Sequence, residues 1–191
     1  MDVWLVSLVD DGEIVLSADE EDRAARLRFG TDRARWIQAR SALRTILAAF
    51  SGIPAAELRF VLGPHGKPAV ADAGGVEFSL SHAGDWAMIA VTPGVPVGID
   101  IERIRENVNM AALLARLSEQ NVPDGQTALF SAWTRREAMT KALGGALMET
   151  PEGDLRVVNL EAPEGYCASL ALIGHDPLVR RRMGAKAVPE H

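Results

Sequence analysis

The chain has 191 residues, of which 48% are hydrophobic and 24% charged, the profile of a globular protein with one large domain or two smaller halves. The formal net charge of −6 argues against a broad nucleic-acid-binding surface. The single cysteine, Cys167, excludes an intrachain disulfide and a cysteine-ligated zinc site. The first residues lack the pattern of a signal peptide and no apolar run could span a membrane, so we expect a cytoplasmic protein.

The first half of the chain predicts a mixture of strands and helices. Apolar and β-branched residues predict a strand over 3–9. Ser17 and Glu20 form a capping-box pattern that predicts a short helix ending near residue 29. Thr31 is expected to cap a second helix, which ends at Gly52. Strands are further predicted over 59–62, 76–80 and 86–92, separated by a loop at 63–68 (GPHGKP) and a turn at 81–85 (SHAGD).

The clearest break in the sequence is the segment containing Pro93, Gly94 and Pro96. We expect it to separate an N-terminal half, 1–95, from a C-terminal half, 96–183, followed by a mobile tail over 184–191. The second half predicts a strand over 97–103, helices over 110–119 and 128–143, and strands over 155–160 and 166–173. This order loosely repeats that of the first half, which indicates an α+β fold with approximate two-fold symmetry.

The strand predicted at 97–103, VGIDIER, carries two carboxylates two residues apart. Because side chains alternate along a strand, Asp100 and Glu102 point to one face, while Ile99 and Ile101 point to the other, into a core. Two carboxylates aimed at one place can hold a hard cation such as Mg²⁺. For this motif alone, a half-buried strand with a polar outer face is the commoner alternative.

The helix predicted at 128–143 carries Glu137 and Lys141 one turn apart on one face. They could form an exposed ion pair within the helix, which is common and contributes little stability. Alternatively, Glu137 could complete an oxygen site with the two strand carboxylates. The positive charges of Arg135, Arg136 and Lys141 would then offset the repulsion among the acids, and Arg136 and Lys141 would face phosphates.

Several further side chains are candidates for binding an anion. Ser81 and His82 are adjacent, and adjacent side chains on an extended chain point apart, which disfavours a catalytic serine–histidine pair. We favour phosphate contacts by both side chains from a turn with free backbone amides. An ordinary surface turn is the alternative. Lys67 lies in a loop that could fold over a ligand. Arg40 and Arg44 lie one turn apart on the second predicted helix without acidic residues nearby in sequence, unlike the other arginines of this region.

Four motifs occur in an order that resembles the surfactin-type (two-half) 4′-phosphopantetheinyl transferases: GKP at 66–68, FSLSHAGDWAMIAV at 78–91, PVGIDIE at 96–102 and WTRREAMTKALGGAL at 133–147. The resemblance covers roughly residues 40–145. It implies an α+β fold of two similar halves with the coenzyme in the cleft between them, and the chain is long enough for both halves.

The resemblance also implies site residues. The Mg²⁺ ligands, with Mn²⁺ as an alternative ion, would be Asp100, Glu102 and Glu137. The contacts to coenzyme A would be Lys141 near the pyrophosphate, Ser81, His82 and Arg136 at phosphates, and Lys67 and Arg40 near the adenosine 3′-phosphate, with Trp133 supporting the catalytic helix. Arg136 stands where the family motif most often has lysine, which keeps the charge but presents it differently.

The implied reaction is Mg²⁺-dependent transfer of the 4′-phosphopantetheine arm of coenzyme A to a serine of an apo acyl or peptidyl carrier protein, releasing adenosine 3′,5′-bisphosphate. Glu137 is the candidate base, and Asp100 and Lys141 complete the catalytic centre. Arginines within 23–35 and 180–182 are candidates for a local basic surface that faces an acidic carrier. Two alternatives remain: a non-catalytic binding module of the same fold, and a metal-dependent phosphohydrolase. We expect a monomer, and the pathway served would be fatty acid, polyketide or nonribosomal peptide synthesis.

Overall fold

The computed structural model describes residues 1–10, 12–63, 66–106, 124–144, 154–174 and 179–184. The helix predicted at 110–119 and the predicted mobile tail beyond residue 184 lie outside this part of the chain. In chain order the elements are β1 (Asp2–Ser7), α1 (Ala18–Ala25), α2 (Gly30–Ser51), a 3-10 turn (Ala55–Glu57), β2 (Phe60–Leu62), β3 (Pro68–Val70), β4 (Val76–Ala83), β5 (Trp86–Pro93), β6 (Val97–Arg103), α3 (Gln126–Leu143), β7 (Leu155–Leu160), β8 (Tyr166–Ile173) and β9 (Arg180–Met183).

The two main sheets have the same connectivity, which gives the fold an internal repeat. The strand order is β4-β5-β1-β9 in the first sheet and β6-β8-β7 in the second. In each half of the chain, a first strand (β1 or β6) is followed by a long helix (α2 or α3) and then by a β-hairpin (β4–β5 or β7–β8). The second strand of the hairpin pairs antiparallel with the first strand of that half. The predicted α+β fold of two similar halves is therefore confirmed.

An apolar core lies between the two sheets, and each sheet carries a long helix on its other face. The core between α2 and the first sheet includes Trp4, Leu43, Leu47, Phe78 and Ile89. The core between the sheets joins Val3, Met88 and Ala90 of the first to Ile99, Ile101 and Leu170 of the second. The predicted alternation along 97–103 is thus confirmed, because Ile99 and Ile101 face this inter-sheet core and leave the opposite face of β6 to α3.

The turn after β4 is shorter than the predicted SHAGD turn. Ser81 and His82 continue the strand and pair with β5, and Ala83 lies opposite Trp86. This leaves a two-residue connection in which Gly84 has a φ of +52°, a conformation that such hairpin turns require. Ser81 and His82 are therefore strand residues in register with β5 and not residues of the turn that the sequence suggested.

A few other boundaries differ from the predictions. α1 ends at Ala25, and Phe29, two residues before Thr31, occupies the N-cap position of α2. Two short strands were not predicted: β3, which forms a hairpin with β2, and β9, which pairs in parallel with β1. Among the described residues, no helix has the length and apolar character that crossing a membrane requires.

Candidate active site

Gly98 allows α3 to lie directly on β6. A Cβ atom at this position would lie 1.9 Å from the carbonyl oxygen of Ala138 and 2.5 Å from the amide nitrogen of Ala142. No other residue would fit there without moving the helix backbone. Because Gly98 shares a face of the strand with Asp100 and Glu102, this close approach brings α3 over both carboxylates.

Asp100 is the most enclosed of the three predicted metal ligands, with 3% of its surface exposed. Its Oδ1 accepts hydrogen bonds from Lys141 Nζ at 2.6 Å and from Ser81 Oγ at 2.7 Å. Its Oδ2 is buried without a hydrogen-bond partner among the described residues. Burial raises the pKa of Asp100 even though Lys141 and Ser81 oppose the shift. A buried carboxylate oxygen without a partner is costly, and a bound cation would remove that cost.

Lys141 connects the helix to both sheets. Besides Asp100, its ammonium donates to Ser81 Oγ at 3.2 Å and to the carbonyl oxygen of Ile99 at 3.3 Å. Two of its partners therefore lie on β6 and the third, Ser81, lies in the other half, rather than one turn away at Glu137. The alternative of a simple exposed ion pair within the helix does not describe this lysine.

Glu102 and Glu137 complete the acidic group. Burial raises the pKa of both carboxyl groups, and repulsion from the neighbouring acids adds to the rise. Lys141 opposes the rise at both groups, and at Glu102 so do Arg105 and a hydrogen bond from the indole of Trp133, which is 8% exposed. Across the described ranges, no three acidic, histidine or cysteine side chains stand close enough to form a ready-made metal site. The donor chemistry nevertheless fits a hard cation, because it offers carboxylate oxygens, one of them buried and unpaired.

The unpaired edge of β6 is covered by side chains from three elements. Lys67 Nζ donates to the carbonyl oxygen of Val97 at 3.1 Å, and the amide of Ile99 donates to Ser79 Oγ at 3.1 Å. Lys141 completes the set at the Ile99 carbonyl. These bonds satisfy backbone groups that would otherwise be exposed on a strand edge, and they fix two lysines at the junction of the halves.

A cleft of about 300 Å³ opens beside these lysines. Its walls come from both halves and include Arg40, Lys67, Ser79, Thr140 and Lys141. Burial lowers the pKa of Lys67, and the carboxylate of Glu77, 3.7 Å away, partly offsets that effect. A second hollow of about 220 Å³ shares Arg40 and Leu80 with the first and also contacts Arg23, Trp36 and His82.

Ser81 and His82 point to opposite sides of β4. Ser81 faces Asp100 and Lys141, whereas His82 lies on the α2 side of the sheet, in the second hollow. Burial lowers the pKa of His82, and the positive charge of Lys141 acts in the same direction. A serine–histidine pair is therefore absent at this position, as the alternation of strand side chains predicted.

Arg40 and Arg44 have no acid nearby in sequence but share one in the fold, so the prediction that both are available to bind an anion is wrong for Arg44. α1 folds across α2 and inserts the buried carboxylate of Glu20 between them, so that Glu20 accepts from Arg44 Nε at 2.5 Å and also binds Arg40. Arg44 is 1% exposed and donates to the carbonyl oxygens of Ala55 and Leu58, so it is structural. Arg40 stacks on the ring of Phe60 and still borders both cavities.

The remaining predicted residue, Arg136, lies on α3 with 8% of its surface exposed. Its charge acts to lower the pKa of the adjacent Glu137. Sequence reasoning missed Ser79 and Gly98 as parts of the site. A glycine within a strand pattern signals close backbone approach, so Gly98 could have been found from the sequence, whereas Ser79 carries no such signal.

Comparison with known proteins agrees with the motif order. Residues 12–94 match the family model described as 4′-phosphopantetheinyl transferase, N-terminal, and residues 96–177 match that of the 4′-phosphopantetheinyl transferase superfamily. The chain is 30% identical to the 4′-phosphopantetheinyl transferase HetI of Nostoc, over 81% of this chain and 70% of that protein. It is 30% identical to the transferase psf-1 of Bacillus pumilus, over 78% and 71%, and 35% identical to AcpT of Escherichia coli, over 61% of each chain.

The chain therefore belongs to the 4′-phosphopantetheinyl transferase family, which confirms the resemblance seen in the sequence. It is an enzyme of the transferase class.

Proposed function

We propose that this enzyme transfers the 4′-phosphopantetheine arm of coenzyme A to a serine hydroxyl of an apo acyl or peptidyl carrier protein and releases adenosine 3′,5′-bisphosphate. The observation that carries the proposal is the convergence of Asp100, Glu137 and Lys141 beside a cleft lined by both halves, in a chain of this family. A module that only binds its ligands would gain nothing from a buried, unpaired carboxylate oxygen and from acids that repel one another, since both cost stability.

Asp100, Glu102 and Glu137 would hold the divalent cation, Mg²⁺ or alternatively Mn²⁺. When bound, such an ion neutralises charge on a pyrophosphate and orients it. The buried, unpaired Oδ2 of Asp100 supports this assignment, because a cation is the partner that a lone buried carboxylate oxygen requires.

Glu137 is the proposed general base for the carrier serine. Burial and repulsion from Asp100 and Glu102 raise the pKa of its carboxyl group in the metal-free protein, whereas a bound cation would act in the opposite direction, so its base role rests on its place beside Asp100 and Lys141. Lys141, held by Asp100 and Ser81, would neutralise charge that develops on the leaving phosphate. Phosphoryl transfer of this kind depends mainly on positioning and charge neutralisation, which rigidly held side chains supply.

Coenzyme A would lie in the cleft between the halves. Lys67 and Arg40 line it and would contact the adenosine 3′-phosphate end, while Ser81, His82 and Arg136 would contact phosphates. The division into halves at 1–95 and 96–183 is part of this proposal, as are a monomeric state and a cytoplasmic location, with which the free thiol of Cys167 is consistent.

The carrier-facing surface is proposed at the junction of α1 and α2. Arg26, Arg28 and Arg33 are exposed there, none of them forms an ion pair among the described residues, and Phe29 between them is 68% exposed. At 180–182, by contrast, Arg181 pairs with Glu161 and Arg182 with Asp2. The first surface is therefore the better complement to an acidic carrier.

The test is intact-protein mass spectrometry of apo carrier proteins incubated with this enzyme, coenzyme A and Mg²⁺. We expect a mass gain of one phosphopantetheine arm, lost in Glu137→Ala and kept in Glu57→Ala, which changes an exposed glutamate of the 3-10 turn. Coenzyme A binding without mass gain on any acyl or peptidyl carrier would favour the binding module. Coenzyme A cleavage without a carrier would favour the phosphohydrolase.

A further inference from the structure

A buried polar network lies behind the acidic group, on the side of α3 that faces the second sheet. Thr134 of α3 and Ser169 of β8 are both 0% exposed, and their hydroxyl oxygens are 2.8 Å apart. The Ser169 hydroxyl also lies 3.4 Å from Asn159 Oδ1 of β7, and Arg135 Nη1 lies 3.3 Å from the same oxygen. The Thr134 hydroxyl lies in addition 3.0 Å from the Ser131 carbonyl oxygen of its own helix, so its one proton is shared between the helix and the Ser169 contact. The network therefore joins α3 to two strands of the sheet.

The network lies next to the acidic group in the second sheet, through the pairing of β8 with β6. Ser169 is the direct partner of Asp100 in the β6–β8 ladder, so the two side chains lie side by side on the face that α3 covers. The next pair along this face is Gly98 and Ala171: Gly98 lies against the backbone of Ala138 in the helix, and Ala171 packs against the Ala138 side chain. Thr134 lies one turn before Ala138.

Two stripes of α3 are thereby related. Thr134, Ala138 and Ala142 form the stripe that rests on the sheet, while Trp133, Glu137 and Lys141 form the adjacent stripe that meets the acids of β6. Glycine and alanine contacts fix how closely the helix approaches but not its rotation, because small side chains offer little resistance to rolling. The directional contact in the first stripe is the Thr134–Ser169 hydrogen bond.

We propose that Thr134 and Ser169 are positioning residues, whose hydrogen bond sets the rotation of α3 and thereby the place of Glu137 and Lys141 relative to Asp100. The inference rests on the proposed function, because it concerns the same acids and lysine. It assigns to two buried hydroxyl groups, neither of which touches the cleft, control over the geometry of the site.

The experiment compares Thr134→Val, which removes the hydroxyl and keeps the shape, with Thr134→Ser, which keeps the hydroxyl. Ser169→Ala removes the partner hydroxyl, and the pair is combined in a double variant. Thr45→Val is the matched control: among the described residues the Thr45 hydroxyl bonds only to a carbonyl of its own helix, at Ser41, whereas the Thr134 hydroxyl has such a bond, at Ser131, and the contact with Ser169 as well. Mn²⁺ affinity in the presence of coenzyme A is measured by electron paramagnetic resonance, alongside kcat, KM for the carrier and thermal unfolding.

We expect Thr134→Val and Ser169→Ala each to weaken Mn²⁺ binding and lower kcat by about 10- to 100-fold, as loss of groups that orient metal ligands does. The KM for the carrier should stay unchanged in these variants. Thr134→Ser should have the Mn²⁺ affinity and kcat of the wild type. The double variant should lose no more Mn²⁺ affinity or kcat than either single variant, because the two hydroxyl groups act as one pair. Wild-type Mn²⁺ affinity and kcat in folded Thr134→Val would overturn the proposal. So would a loss of thermal stability in that variant with unchanged affinity, since it would show a purely structural role.

If Thr134→Val does not fold, Ser169→Ala carries the same comparison with the loss of a single oxygen atom. The wild-type protein separates this inference from the proposed function. Mn²⁺ binding without arm transfer would remove the proposed reaction and leave the affinity comparison valid. A wild-type protein that bound neither Mn²⁺ nor coenzyme A would overturn both.

Discussion

Gly98 of β6 lies directly beneath the backbone of Ala138 in α3, so close that a methyl group at 98 would stand 1.9 Å from the Ala138 carbonyl oxygen. The contact is between main chains rather than between flexible side chains, and neither can yield without moving a whole element. The distance from strand to helix, and with it the reach of Glu137 and Lys141 to Asp100, therefore depends on the absence of a side chain at one position.

Replacement of Gly98 by alanine tests this dependence. We expect Gly98→Ala to lower the free energy of unfolding by about 3 kcal/mol, the upper end of the usual cost of overpacking, and to reduce arm transfer because the helix is pushed from the strand. Urea unfolding monitored by circular dichroism measures the first effect. Gly30→Ala is the control, since a Cβ at Gly30 would meet nothing within 4 Å. Equal stability of the two variants would show that the helix does not rest on Gly98.

The raised pKa of Glu137 predicts a pH-dependent stability. The unfolded chain titrates at the ordinary value of 4.5 and the folded protein at a higher value, because burial comes first and repulsion from the other acids adds to it. The stability that this group contributes is therefore complete below pH 4.5 and is lost as the pH rises through the folded pKa. Glu137→Gln should melt at a higher temperature than the wild type at pH 7.

The difference in melting temperature between Glu137→Gln and the wild type should shrink to zero as the pH falls below 4.5. Glu57→Gln, on the exposed 3-10 turn, is the comparison that removes a carboxylate without removing this repulsion. A constant difference across the pH range would mean that Glu137 is not the titrating group. Added Mg²⁺ should reverse the order at pH 7, because only the wild type keeps the full set of proposed ligands.

Glu20 should behave in the opposite way. Burial alone would raise its pKa, but hydrogen bonds from Arg44, the Ser17 amide and Arg40 outweigh it and lower the pKa below 4.5. Its contribution is therefore present above pH 4.5 and lost as the pH falls through the folded pKa. At pH 7, Glu20→Gln should cost about 3–5 kcal/mol, because it leaves the Arg44 guanidinium buried without a counter-ion.

Chemical denaturation of Glu20→Gln beside Glu21→Gln isolates this effect, because Glu21 is the exposed neighbour on the same helix. A loss of similar size in both variants would point to the helix α1 as a whole rather than to the buried pair. The coenzyme affinity of Glu20→Gln is informative as well, since Arg40 depends on the same carboxylate for its position over Phe60.

Charge reversal should separate carrier recognition from coenzyme binding. Arg28→Glu is expected to lower kcat/KM for the carrier by about 10-fold at low salt, because local charge steers association, and to leave coenzyme A affinity unchanged. Arg181→Glu should have a smaller effect, since Arg181 is already paired with Glu161. Enzyme kinetics at two salt concentrations measures the carrier effect, and calorimetry measures the coenzyme. An equal loss of kcat/KM for the carrier and of coenzyme A affinity in Arg28→Glu would contradict a carrier-specific role.

The parts of the structure that sequence predicted are those encoded by local spacing. The strand at Val97–Arg103 and its two faces follow from alternation, and the shared face of Glu137 and Lys141 follows from helical spacing. Both patterns are contained in a few consecutive residues. The order of four such motifs was sufficient to identify the family before any contact was known.

The parts that sequence did not predict arise from contacts between distant residues. Glu20 and Arg44 are 24 positions apart, and their pairing depends on how α1 crosses α2, which no local pattern encodes. Similarly, Ser81 and His82 were assigned to a turn because their polar character suits one, and only pairing with β5 makes them strand residues. The Thr134–Ser169 bond joins residues 35 apart that look unremarkable in isolation.

The parallel pairing of β9 with β1 has a consequence for biosynthesis. Asp2 is opposite Arg180 in the ladder, and Arg182, 180 positions later in the chain, binds its carboxylate, so this edge of β1 is covered by residues made long after β1 itself. During synthesis that edge stays uncovered until residues 180–183 have emerged from the ribosome. Until then β1 presents open backbone groups to other chains. Expression at low temperature, or with a chaperone that shields the emerging strand, should therefore raise the yield of native enzyme.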